Sequence, residues 1–417
     1  MSIVRPFKGI RPKKELVDQV ASLPYDVMNR EEAKKLAEGN EYSFLHVVRS
    51  EIDLDDSVSP YDEVVYKKAR KNLDQMIEDE ILVQDEKPMF YIYRQIMNGR
   101  VQTGLVGATS IDDYMNNVIK KHEYTRPKKE IDRINNFDHC DANTAPIFLT
   151  YRKNDEINTI VNDWIKFHMP IYDFKSEDGI THIVWELSEE SLVDKINKIF
   201  DKEVDSLYIA DGHHRSASSV KVGLKRREEN PNFTGDEEYN CFMSVMFPDE
   251  DLFIMDYNRV VHTLNGLSFE EFMSEVKEKF NVEKVESEEP FKPTKKHTFG
   301  MYIENNWYAL EAKEGIFDDQ DPVDRLDVAI LQNNILDPLL GIEDPRTSDN
   351  IDFVGGIRGL KELEERVNKG KKVAFSMYPT TMDDLLAIAD AGKVMPPKST
   401  WFEPKLRSGL FVHRLTD

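Results

Sequence analysis

Apolar positions along the chain recur in two rhythms. Val64, Val65, Ala69, Leu73 and Ile77 repeat at helical spacing, which predicts an amphipathic helix over Tyr61–Glu80. Asn29, followed by Arg30–Leu36 with early acids, predicts a second, capped helix. Helices are also predicted over Asp155–Phe167, Glu189–Phe200, Phe269–Phe280, Leu326–Leu336, Gly359–Val367 and Thr381–Ala391, the last stopped by Gly392. Short apolar runs predict strands at Phe44–Arg49, Met89–Met97, Val101–Ser110, Ile147–Tyr151, Ile180–Glu186, Leu207–Ala210, Glu238–Phe247, Leu252–Val261, Thr298–Ile303, Asn306–Ala312 and Val373–Met377. Asn98-Gly99 is a hairpin turn between two of them. The pattern is that of an α+β protein with mixed sheets and helices. It divides into an α+β segment over 1–150, an α/β core over 151–265 and an α/β segment over 266–417.

One stretch breaks both rhythms. Ile119–Pro146 is dense in charge, His, Asn and Thr and poor in core residues, so it is either a long exposed helix or a catalytic segment. Pro127 ends any helix that runs on from Glu123.

The densest chemistry lies at Leu207–Ser219. The apolar run Leu207–Ala210 leads into Asp211, Gly212, His213, His214 and Arg215, and helical residues follow from Ser216. A strand that opens through Asp-Gly into a helix leaves backbone N–H groups free at the helix start, where the dipole adds partial positive charge. Such a turn is an anion site. Two imidazoles and a guanidinium add donors suited to phosphate, and Asp211 can hold a metal or take a proton. The plainer alternative has Asp211 and Ser216 capping the helix and Arg215 pairing with a surface acid.

Composition bounds the function. The 417 residues are 40% hydrophobic and 32% charged, with a mean hydropathy of −0.55. No apolar run is long enough to span a bilayer, and the N-terminus lacks a signal-peptide core. Two cysteines, Cys140 and Cys241, exclude a disulfide framework, so a cytoplasmic location is expected. The net charge of −23 speaks against nucleic acid and leaves room for local basic pockets. Lys8 and Arg11, Lys120 through Arg133, and Lys398 with Lys405 and Arg407 are such clusters. Within the second, Glu123 stands among Lys120, Lys121, His122 and Arg126, an ionised acid suited to act as general base. Lys398-Ser399-Thr400 has only the end of a phosphate loop, since Val394-Met395-Pro396-Pro397 replaces its glycines. Asp352–Gly356 could bring backbone N–H groups near a ligand. His139, Cys140, His213 and His214 match no zinc spacing.

These residues carry a resemblance. RPFKGIRP at Arg5–Pro12, SLPYDV at Ser22–Val27, KKHEYTR at Lys120–Arg126, ADGHHR at Ala210–Arg215 and PPKSTWFEPKLRSGL at Pro396–Leu410 resemble the hallmarks of a bacterial and archaeal domain of unknown function. The Asp-Gly-His-His-Arg turn is similar to that of free serine kinases of the ParB/sulfiredoxin-like fold, which convert L-serine to O-phospho-L-serine with a nucleotide or, in some relatives, pyrophosphate. The resemblance implies a ParB/sulfiredoxin-like core around the turn, with N- and C-terminal elaborations. It implies that Asp211, His213, His214 and Arg215 bind phosphate and an associated Mg²⁺, with Asp211 as the metal ligand. It also implies an upstream catalytic glutamate, and Glu123 fits by its surroundings.

The expected function is therefore a Mg²⁺-dependent phosphotransferase acting on L-serine, with no nucleic-acid or membrane partner. Glu123, Asp211, His213 and His214 form the catalytic set, and Arg215, Lys120, Arg126, Lys8, Lys398, Ser399, Thr400 and Lys405 hold substrate or phosphate. Two alternatives share the site: a ParB-like nucleotide-binding regulator and a metal-dependent phosphohydrolase.

Overall fold

A computed structural model describes residues 1–416. The chain is α+β, with mixed sheets and helices, as its pattern predicts. It separates into two units: residues 1–252 with 404–417, and residues 253–403. The expected boundary at residue 150 does not separate anything, because strands from both sides of it share one sheet.

The first unit is built on nine strands: β1 (Val4–Arg5), β2 (Phe90–Met97), β3 (Arg100–Ser110), β4 (Ile119–Lys120), β5 (Ile147–Tyr151), β6 (Tyr172–Lys175), β7 (Thr181–Leu187), β8 (Leu207–Asp211) and β9 (Cys241–Pro248). They run in the order β4-β8-β5-β9-β3-β2-β7-β6, with β1 paired to β3. The β4/β8 and β5/β9 pairs are parallel and the rest antiparallel. Asn98 and Gly99, at φ 51° and 80°, make the two-residue turn between β2 and β3. Helices α1 (Arg30–Ala37), α2 (Glu63–Glu78), α3 (Pro127–Cys140), α4 (Asp155–Phe167), α5 (Glu190–Glu203) and α6 (His213–Glu229) complete this unit's main framework. Asn29 caps α1 in a reciprocal box with Glu32. The apolar faces of α4 and α5 meet the sheet through Ile157, Trp164, Ile196 and Phe200.

The second unit holds a sheet of six antiparallel strands, with helices at Phe269–Lys279, Lys361–Asn368 and Met382–Asp390. Among the described residues no helix is long and apolar enough to cross a membrane.

Three expectations change. Phe44–Arg49 is no strand: Leu45–Val48 is a short helix, begun where Ser43 Oγ accepts from the Leu45 N–H at 3.3 Å. Phe44, Leu45, Val47 and Val48 are all buried, which a one-sided strand could not achieve. The run Leu252–Val261 crosses the boundary between units and forms a strand only from Tyr257. Pro127 starts a helix rather than ending one, because its missing N–H and fixed φ suit the first helical position.

Candidate active site

Strand β8 ends with a bulge against β5: Ile209 pairs with Leu149 and Asp211 with Phe148, so Ala210 is the extra residue and Asp211 is re-aimed at the strand end. Gly212 follows at φ 98°, and a Cβ there would lie 3.3 Å from Arg215 Cζ. The positive φ favours glycine, and a Cβ would press on the Arg215 guanidinium. Helix α6 then begins at His213 with no side chain capping it, so its first N–H groups remain available to an anion.

The two histidines of the turn are pins. His214 Nε2 accepts from the Arg126 N–H at 2.9 Å, and His213 Nε2 accepts from the His122 N–H at 3.4 Å. A backbone N–H can only donate, so both rings are neutral and carry their proton on Nδ1. Burial enforces this: it holds His213 well below its ordinary range and His214 at about 4. Together they fasten the segment 121–126 to the start of α6. The same clamp brings Glu123 Oε2 to 3.8 Å from His213 Nδ1, with the Glu123 side chain 48% exposed. His122 lies edge-on to His213, with ring centres 4.4 Å apart. It is buried, neither ring nitrogen has a hydrogen-bond partner, and burial lowers it to about 4.

Helix α3 supports the clamp from behind. Glu130 Oε2 accepts from Thr125 Oγ1 at 2.7 Å, its Oε1 pairs with Lys221 of α6, and its carbonyl accepts from Ser218 Oγ at 2.9 Å. Burial opposes the Glu130 charge, but the Lys221 and Thr125 bonds outweigh it and lower its pKa.

Asp211 is the electrostatic hub. Its Oδ2 pairs with Lys405 Nζ at 2.9 Å, and its Oδ1 lies 3.9 Å from Arg215 Nη2. Burial opposes its charge, yet the Lys405 and Arg215 cations hold the carboxyl below its ordinary range. Lys405 arrives on the C-terminal segment, which is stitched to the two N-terminal motifs. Ser22 and Ser408 exchange backbone bonds at 3.0 and 2.9 Å, as do Ile10 and Val412 at 2.9 and 2.8 Å. Gln95 Nε2 also donates to the Lys405 carbonyl at 2.9 Å.

The fold thus unites Glu123, Asp211, His213, His214, Arg215 and Lys405. It revises some of their expected parts. Arg215 is buried, donates to the Pro146 carbonyl and faces Asp211, so it positions the turn rather than offering its face to phosphate. The Nε2 atoms of His213 and His214 are spent on backbone donors, which leaves only Nδ1–H to a ligand. Lys120 sits in β4 beside Tyr208, and Arg126 is exposed at the start of α3. Lys8 is exposed between β1 and Ile10–Pro12, with no contact joining it to the turn among the described residues. Lys398, Ser399 and Thr400 belong to the second unit. There Ser399 Oγ donates to the Pro396 carbonyl at 2.6 Å and Lys398 Nζ lies over the Tyr257 ring at 5.4 Å.

Among the described residues no three His, Cys, Asp or Glu side chains form a metal-holding group. His139 bonds the Asn135 carbonyl at 2.8 Å, and burial pushes the Cys140 thiol up to about 12. Mg²⁺ needs less, since it is commonly held by one carboxylate with substrate phosphates and water. Asp211 is the carboxylate at the turn, but its Oδ2 is paired with Lys405 and its Oδ1 faces Arg215, so it would hold Mg²⁺ only with Lys405 turned to a donor's phosphates.

A family profile described as a protein of unknown function (DUF1015) matches residues 4–329. The chain belongs to the DUF1015 family. All of the turn and of the Glu123 segment of this DUF1015 chain lies within the match, and Lys405 lies beyond it. No curated protein is similar to it in sequence. Similar solved structures include a conserved hypothetical protein from Pyrococcus furiosus, 14% identical over 74% of this chain and 94% of that one, with a TM-score of 0.35. A free serine kinase in complex with AMP is 14% identical over 72% and 86%, with a TM-score of 0.36. SbnI with C-terminal truncation from Staphylococcus aureus is 11% identical over 73% and 85%, with a TM-score of 0.39.

Sequence reasoning missed what supports the site. Glu130, Lys221 and Pro146 act by contacts across the fold, and His122, counted in the sequence among the cations around Glu123, is instead neutral through burial. The signal that could have found it is adjacency: the residue before a candidate base on a short clamped loop must itself be buried or bonded.

Proposed function

We infer that the turn is the phosphoryl-transfer centre of a small-molecule kinase that converts L-serine to O-phospho-L-serine, using pyrophosphate or a nucleotide as donor. The observation that carries this reading is the clamp: a solvent-reachable carboxylate, Glu123, fixed 3.8 Å from His213 beside an uncapped helix start. A base held next to an anion-binding helix end is the minimum that phosphoryl transfer demands, since such catalysis is mostly positioning and charge neutralisation.

In this reading the first N–H groups of α6 hold the phosphoryl group, and Lys405 adds positive charge beside it. Glu123 accepts the proton of the serine hydroxyl. The serine oxygen forms a bond to phosphorus as the bridging P–O bond breaks, and the donor leaves as orthophosphate or as a nucleotide one phosphate shorter. His213, neutral, faces Glu123 Oε2 with its Nδ1 across 3.8 Å, beyond a direct hydrogen bond, so its part is to hold the loop through its Nε2. Mg²⁺, held by Asp211 and the donor's phosphates, would neutralise phosphate charge. Incubation with Mg²⁺, L-serine and each donor, followed by mass spectrometry for phosphoserine, tests the reading. Product is expected from the wild type and not from Glu123→Gln. Equal product from both would remove Glu123 from its role.

A further inference from the structure

The first unit holds a partly open cavity of about 200 Å³, lined by residues of α2, α3 and the segments at Tyr25–Met28 and Val48–Glu51. At roughly 30 Å³ per water it has room for about six waters, the size of a short amino acid. Its wall is ionic. Arg133 is buried, pairs with Asp132 at 2.8 Å and stacks on the Tyr25 ring at 3.9 Å. Tyr66 donates its hydroxyl to Asp132 at 2.9 Å. Opposite charges also meet at Arg49 and the buried Glu51, 2.8 Å apart, and Arg49 Nη1 donates to the Tyr25 carbonyl at 3.1 Å. The Nε of Arg49 is buried and has no partner.

Burying two ion pairs is costly and adds little to stability. Here both pairs border open space. With Asp26 and Lys129 the lining carries three anions and three cations, which sum to zero, so a lone anion or a lone cation would meet its own sign as well as its opposite. A small molecule with both charges meets a partner at each end. None of Asp211–Arg215 lines the cavity; it is linked to the turn through α3, whose Lys129, Asp132, Arg133 and Asn136 line it and whose Glu130 holds Thr125 of the Glu123 loop.

We propose that this cavity binds the charged head of a free α-amino acid, its carboxylate toward Arg49 and Arg133 and its ammonium toward Glu51 and Asp132. This rests on the phosphotransferase reading for its link to catalysis, and the cavity is where the acceptor would be recognised.

The test is calorimetric titration of the full chain with L-serine, with serinol, which lacks the carboxylate, and with 3-hydroxypropanoate, which lacks the amine. L-Serine is expected to bind at least tenfold more tightly than either analogue. The double variant R49Q/E51Q removes one pair together and so leaves no lone buried charge. It is expected to weaken L-serine at least tenfold while pyrophosphate binding stays within twofold, with circular dichroism matching the wild type. The single variant Tyr66→Phe, which frees Asp132 from one bond, is expected to shift serine affinity alone. Analogues that bind as well as L-serine, or serine affinity unchanged in both variants, would overturn the proposal. Charge-selective serine binding without any donor turnover would leave the cavity assignment standing and sink the kinase reading. Serine-dependent turnover with unchanged serine KM in both variants would do the reverse.

Discussion

Removing Lys405 should loosen the turn by an amount the geometry sets. Lys405 Nζ and Asp211 Oδ2 are 2.9 Å apart, with side chains only 13% and 29% exposed. At an effective dielectric of about 20, that separation corresponds to roughly 6 kcal/mol of gross attraction. Desolvation of two half-buried ions offsets about half of it, which leaves a net coupling of about 2–3 kcal/mol. A cycle of Lys405→Met, Asp211→Asn and the double variant isolates this term. Urea unfolding can be followed by Trp164 and Trp185 of the first unit, with Trp307 and Trp401 of the second replaced by Phe. The sign with pH follows from Asp211, whose folded pKa lies below its ordinary value of 3.8. The coupling is complete above that value and is lost as pH falls through the folded pKa. A coupling below about 0.5 kcal/mol at pH 7 would refute the buried pair, since that is what an exposed pair gives.

Other consequences are open to simpler checks. Gly212→Ala should destabilise the first unit by about 1–3 kcal/mol, through its positive φ and the approach to Arg215, and a melting temperature within a degree of wild type would contradict this. Glu123→Gln should abolish turnover without moving the melting temperature, because the side chain is 48% exposed. His122 falls from an ordinary 6.5 to about 4 in the fold, worth up to roughly 3 kcal/mol at 1.36 kcal/mol per pH unit. Its contribution is full above pH 6.5 and is lost as pH falls toward 4, so stability should decline over that window and decline less in His122→Phe. Parallel pH profiles for the two proteins would show that another group titrates there.

What could be read from the chain follows the range of the interactions. The turn at Asp211–Arg215 was legible because strand, glycine and helix signals sit next to one another. The strands of the β2/β3 hairpin were legible for the same reason. Glu123 was legible as an acid among cations, and the two histidines that hold its loop lie in the neighbouring motif. Lys405 is legible as a cation but not in its part, since its carboxylate, Asp211, is 194 residues away, and the inward turn of Arg215 depends on the Pro146 carbonyl, 69 residues away. The helix at Leu45–Val48 was misread because burial on every side overrides the strand preference of Phe and Val. Lys398 and Lys405 share one sequence motif, yet the unit boundary after Glu403 divides it.

The most direct test of the central claim is phosphorus NMR of the protein with Mg²⁺ and pyrophosphate, ADP or ATP in turn, each with and without L-serine. The account predicts a phosphoserine resonance with one donor, and donor loss only when serine is present. Donor cleavage that ignores serine would contradict it and make the protein a hydrolase. No cleavage with any donor would contradict it as well, and would leave the turn a binding site alone.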